Sequence, residues 1–231
     1  MKQNNNYNIQ LLIFFAFLCK ILFAYFHSFI FSVPGLASDT YGFTLAAIEL
    51  FLNKNFFYED IINLNDYYQD KYHLLWLNNF FFGNSEDLHN LYISNPYVSF
   101  LYRVLVFSGL SESLISKNID LIFFIFSLSS IFIWFISILV LIEISRILKI
   151  ENKYIFYIIF SFSFLPSIFL FTNVPLREGL EIISVLIFVL IIFKLYNRKY
   201  LYLIFLPFNF YIAYVTHHAL FYSLAMSFIF I

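Results

Sequence analysis

Apolar residues run through this chain in long charge-free stretches separated by short charged turns. A membrane-crossing helix needs roughly 20 mostly apolar residues, so these stretches predict spans directly. The first is Ile9 to Val33, interrupted by Lys20 and His27. It exceeds the about 7–15 residues of a signal-peptide core and has only Lys2 as a positive flank, which predicts an uncleaved span. Pro34 to Asp120 is far more polar and holds no charge-free run of spanning length. Leu121 to Ile142 predicts the second span, followed by Glu143, Arg146, Lys149 and Lys153. Tyr154 to Leu176 predicts a third, softened by Pro166, which neighbouring helices can accommodate. Ile182 to Phe193 is long enough only if Arg177, Glu178 and Glu181 belong to the same helix and sit at its membrane end. Lys194, Arg198 and Lys199 follow, then Tyr200 to Thr216 with Pro207, then His217 and His218. The last run, Ala219 to Ile231, is about two thirds of a crossing, which predicts a chain truncated at its C-terminus. The expectation is an all-α polytopic transmembrane helix bundle of about five to six spans, one domain over 1–231. A single long extracytoplasmic loop of interfacial helices, 34–118, lies within it.

Composition agrees with that pattern and removes other classes. Of 231 residues, 62% are hydrophobic and 12% charged, against roughly 45–50% and 25% in soluble domains. Mean hydropathy is +0.83. A disulfide-stapled secreted module is excluded because Cys19 is the sole cysteine. The net charge of -1 offers no electrostatic footprint for nucleic acid. The 35 Phe and 18 Tyr accompany many Ile and Asn, the usage of an A/T-rich genome, so their abundance is not taken as a ligand signal.

Charge placement orients the predicted bundle. With the N-terminus inside, Lys2, the Arg146–Lys149–Lys153 turn and the Lys194–Arg198–Lys199 turn all fall in the cytoplasm, as the positive-inside rule requires. The acidic 34–118 segment then lies outside. Counting Pro96 to Leu110 as a span would flip both basic turns, so it is expected to be an interfacial or re-entrant helix with Arg103 snorkelling. The expected location is a bacterial cytoplasmic (inner) membrane.

The unusual polar residues then collect at the outer side, and ionisable groups in or near the membrane are candidates for function by default. Ser38-Asp39-Thr40 has two readings: an N-cap opening an amphipathic helix, or a carboxylate placed as general base for an acceptor hydroxyl. Asn173 through Glu181 opens the fourth span, with Asn173 and Pro175 placed as helix-start residues usually are. Arg177 and Glu181 are four apart, so one reading is an ion pair on a helix face. The other is that Arg177 takes an anionic group, its fork matching phosphate at a helix N-terminus, with Glu178 and Glu181 fixing it. His217 and His218 point in different directions as neighbours and have no second ligand pair with metal spacing, so they read as interfacial residues open to substrate contact. Asp66, Asp70 and His73 fall at helical spacing and read as a solvated face or a divalent-cation site; no other cofactor or metal ligand set is indicated. Lys20, midway along the first span, faces the bundle interior or snorkels. Phosphate-loop, dinucleotide-binding, catalytic-cysteine and serine-hydrolase signatures are missing from the sequence.

Three stretches carry a resemblance: PGLASDTYGFTLAAIEL after a basic first span, NPYVSFLYRVLVFSGLSESLISKNID before the second, and LPSIFLFTNVPLREGLEIISVLIF around the start of the fourth. Together they resemble the N-terminal portion of GT-C type membrane glycosyltransferases, bacterial surface-polysaccharide members that use polyprenyl-phosphate-linked sugars. The resemblance implies a transferase moving a hexosyl or pentosyl group from a lipid-linked donor to a glycan or lipid-linked acceptor at the extracytoplasmic face. It implies Asp39 as the base or acceptor-orienting carboxylate and Arg177 as the phosphate ligand, with Glu178 orienting it and His217 or His218 lining the same cavity. The chain departs from the pattern in having one carboxylate, Asp39, where a pair is usual, a polar insertion around Asn53 to Asn90, and a shorter length. Two rivals stand beside this reading. One is an O-antigen-type polysaccharide polymerase. The other is a transporter or flippase half without catalysis, in which Lys20, Arg177 and Glu181 form a gating network.

Overall fold

The computed structural model describes residues 8–30, 40, 43–44, 46–48, 51, 96–115 and 118–229, and every regular element among them is helical. Helix α1 is Ile9–Phe29, α2 Pro96–Ser108, α3 Glu112–Ile115, α4 Ile119–Ile147, α5 Asn152–Phe164, α6 Pro166–Phe171 and α7 Glu178–Tyr196. A 3-10 segment, Tyr200–Phe205, leads into α8, Leu206–Thr216, and then α9, His218–Ile229. Three of the described helices, α1, α4 and α7, are long and apolar enough to cross a membrane. At 1.5 Å per residue the 19 residues of α7 reach about 28 Å, close to the roughly 30 Å hydrocarbon core.

The apolar run of α7 reaches that length because its charged neighbours join the helix. Glu178 and Glu181 occupy its first turn and Lys194 its last, which is the favourable order for the helix dipole. The third predicted span forms differently. It divides at Leu165, whose ψ of 126° is extended, because the residue before a proline is pushed out of helical geometry. Pro166 then starts α6 at its first turn, so the run becomes a 13-residue helix and a 6-residue helix in place of one softened span. The fifth run likewise opens as 3-10 helix and becomes α-helical at Leu206, with Pro207 in the first turn, where its missing N–H costs no bond.

Helices α4 and α7 end in the same way. After α4, the Ile150 N–H donates to the Ser145 carbonyl and the Lys149 N–H to that of Arg146. After α7, the Lys199 N–H donates to the Lys194 carbonyl and the Arg198 N–H to that of Leu195. Both are Schellman closures, and the residue in the left-handed position is basic each time: Lys149 at φ 54° and Arg198 at φ 58°. Glycine usually stands there, since a side chain in that conformation costs about 1–2 kcal/mol.

Contacts divide the chain into two compact units. One comprises 1–22, 130–173 and 177–231. In it α7, the 3-10 segment, α8 and α9 pack around Phe188, Ile191, Leu206, Ala213 and Leu224, and the Ser184 hydroxyl donates to Asn209 Oδ1 at 3.2 Å. The other comprises 23–129 and 174–176. There Phe43 meets the Tyr97 ring edge-on at 5.1 Å, and His27 stacks on Phe23 and Phe123. The helix expected after Ser38-Asp39-Thr40 is present at Thr40, Phe43, Thr44, 46–48 and Phe51. The helix expected over Pro96 to Leu110 is α2, which Gly109 ends at φ 67° with Arg103 exposed on its surface.

On α1, Leu12, Ala16 and Lys20 recur every fourth residue and are buried, while Leu11, Phe14, Phe15, Leu18 and Leu22 are exposed. That stripe is one helix face. The outward apolar side chains are suited to lipid, since water would carry the full cost of solvating them.

Candidate functional site

The head of α7 is built from the sequence upward. Asn173 does not cap this helix: its Nδ2 donates back to the Phe169 carbonyl at 2.8 Å, so it closes α6 instead. Arg177 takes the N-cap position in helical geometry and without a side-chain cap bond. Its carbonyl accepts from the Leu180 and Glu181 amides, which starts the helix.

Three of the candidate residues or their neighbours then converge. Arg177 Nε lies 3.7 Å from Glu181 Oε1, and His217 Nδ1 lies 3.9 Å from the same oxygen. Glu181 therefore bridges the start of α7 and the junction of α8 with α9. His217 can face it because it leaves α8 in extended geometry, φ -160° and ψ 112°. Its own carbonyl accepts from Leu220 and Phe221 and so begins α9. His218, the first residue of α9, packs instead on Tyr214 of α8, ring centroids 4.5 Å apart. Glu178 is half-buried in the first turn of α7.

With the arginine and the carboxylate both partly exposed to solvent, the Arg177–Glu181 pair contributes only a few tenths of a kcal/mol, ~0.3, to stability. Its chemical consequence is larger. Nε is turned toward Glu181, no described side chain bonds the two Nη groups, and a planar guanidinium fork matches a bidentate anion in shape and charge. The spacing in sequence foreshadowed Glu181 as a partner of Arg177. It carried no sign of His217 joining them, because that contact spans the whole of α7 and α8.

Lys20 is the residue whose role the sequence left open. It faces inward and is fully buried. Nζ donates to Thr172 Oγ1 at 2.6 Å and toward the Phe169 carbonyl at 3.5 Å, and lies 4.5 Å and 5.0 Å from the Phe169 and Trp134 ring centroids. The Thr172 hydroxyl in turn donates to the Ile168 carbonyl at 2.7 Å. The ammonium is thus held by neutral acceptors and ring faces, with no carboxylate paired to it among the described residues. Because a buried charge without a counter-ion is costly, Lys20→Met is expected to be neutral to about 1 kcal/mol more stable in thermal unfolding. A marked loss of stability would show instead that the ring cage outweighs desolvation.

Lys194 and Glu143 pair at the other end of α7, with Nζ also 5.1 Å from the Tyr202 ring centroid. No group of three or more His, Cys, Asp or Glu side chains suited to a metal occurs among the described residues. Asp39, and the possible cation ligands Asp66, Asp70 and His73, lie outside the described residues. Among known proteins, no family model matches this chain, and no curated protein and no solved structure is similar to it.

Proposed function

We propose that the protein is a membrane glycosyltransferase that moves a sugar from a polyprenyl-phosphate donor to a cell-surface glycan or lipid-linked acceptor. The observation that supports this most is the partly exposed Arg177 guanidinium at the start of α7, with Glu181 beside its Nε and His217 beside the same carboxylate. In this reading the fork takes the donor phosphate. An acceptor hydroxyl oxygen attacks the anomeric carbon, the bond from that carbon to the phosphate oxygen breaks, and polyprenyl phosphate leaves with the electron pair. The cation at the fork stabilises the charge that develops on the leaving group, so no acid is needed to protonate it. The resemblance of the 34–50 stretch assigns Asp39 as the base that receives the hydroxyl proton.

The reading places the N-terminus in the cytoplasm of a bacterial inner membrane and the head of α7 on the extracytoplasmic side. The broken α5–α6 pair and the short α8 and α9 supply the crossings beyond the three long helices. The test is direct: the purified protein in lipid, given a polyprenyl-phosphate sugar labelled in the sugar, is expected to pass label to a glycan acceptor and release polyprenyl phosphate. Failure to turn over any such donor in the presence of acceptor would overturn the reading. Transfer of whole repeat units in place of single sugars would turn it into a polymerase.

A further inference from the structure

The ends of α4 and α7 in the first unit carry four exposed cations, Arg146, Lys149, Arg198 and Lys199. Lys149 and Arg198 hold the left-handed positions of the two matching helix closures, and both side chains are exposed. Arg146 and Lys199 are exposed beside them, and the charges of both act on Glu143. That brings the two basic turns into one neighbourhood. Glu143 does not neutralise them, because Lys194 is already bonded to it. Among the described residues of these two turns, Glu151 is the remaining carboxylate.

Next to these cations stands an apolar segment without a protein cover. Tyr196 is 87% exposed, Leu201 79% and Ile204 70%, with Tyr200 and Phe205 also exposed. A short helical stretch that is apolar and aromatic outside, directly following two basic residues, has the composition of a membrane-interface anchor. A soluble anion would satisfy the cations alone. A lipid headgroup satisfies both, because its phosphate meets the basic turns while its acyl chains cover Leu201, Ile204 and Phe205.

We propose that the Arg146–Lys149 turn, the Arg198–Lys199 turn and the Tyr200–Phe205 segment form a docking surface for the headgroups of anionic phospholipids. This inference is independent of the glycosyltransferase reading, since it uses neither Arg177 nor Asp39.

The test uses the full chain in bilayer discs of phosphatidylcholine, alone or mixed with phosphatidylglycerol, with the lipids retained after release into detergent counted by native mass spectrometry. The protein is expected to retain phosphatidylglycerol in preference to phosphatidylcholine and to lose that preference in high salt. Lys149→Asn and Arg198→Asn remove the charges with a residue that tolerates the left-handed conformation, so both helix closures survive. Each cation removed is expected to lower the preference roughly fivefold, with melting in pure phosphatidylcholine unchanged. Lys199 gives the α7 closure only its backbone N–H and does not hold the left-handed position, so Lys199→Gln keeps the closure and is expected to give the same roughly fivefold loss even if the Asn variants fold poorly. Three results would overturn the proposal: no preference in the unaltered protein, an undiminished preference in the variants, or equal displacement of the lipid by inorganic phosphate.

Discussion

Arg177→Ala is expected to slow sugar transfer by about 10²–10³-fold, the usual cost of deleting one preorganised group that meets charge developing in a transition state. Thermal unfolding in detergent is expected to stay within about 0.5 kcal/mol of the unaltered protein, because the ion pair lost among the described residues is a partly exposed contact between residues four apart. The two readouts together separate the roles. A phosphate ligand loses rate and keeps stability, whereas a helix-start residue with no substrate contact would do the reverse. Asp39→Asn in the same assay is expected to cost about 10²–10⁴-fold, the range of a lost general base. If transfer survives in Asp39→Asn while Arg177→Ala is inactive, the phosphate site stands and the base must be found elsewhere.

Trp134→Ala is expected to destabilise by about 3 kcal/mol, the lower end of the range for deleting a large aromatic from a core. Trp134 is the largest fully buried side chain described. In a lipid-embedded bundle the lost term is mainly packing, since lipid is as apolar as the protein interior. The ring also supplies one of the faces on which the Lys20 ammonium rests, so truncation leaves that charge less compensated. Trp134→Phe is the informative control. Trp134 Nε1 makes no hydrogen bond, and a phenyl ring keeps a π-face, so this variant is expected to stay within about 1 kcal/mol. Equal melting temperatures for Trp134→Ala and the unaltered protein, measured in the same detergent, would contradict this account of the core.

Much of the architecture could be read along the chain. The apolar run Ile9 to Val33 gives α1 over Ile9–Phe29, Leu121 to Ile142 lies within α4, and the fourth run gains Glu178 and Glu181 in the first turn of α7 with Arg177 at its N-cap. What misled was Pro166. An apolar run says that a segment belongs in lipid, but it does not say whether the backbone stays helical, and the pre-proline residue Leu165 leaves helical geometry. Asn173 misled in a similar way, since its composition suits a helix start equally well as a helix end. The bond to the Phe169 carbonyl decided for the end.

The sequence by itself determined that this is an all-helical chain for a membrane, that its charges gather in a few turns, and that Arg177 and Glu181 share a helix face. Those properties depend on neighbours within a turn or two, where spacing alone sets geometry. Only the tertiary structure decided that His217 reaches Glu181, that Lys20 rests among Thr172, Phe169 and Trp134 with no acidic partner among the described residues, and that Lys194 takes Glu143 out of the basic turns. These contacts join residues far apart in the chain. Helix spacing carries no information about them, because they arise only when separate helices pack.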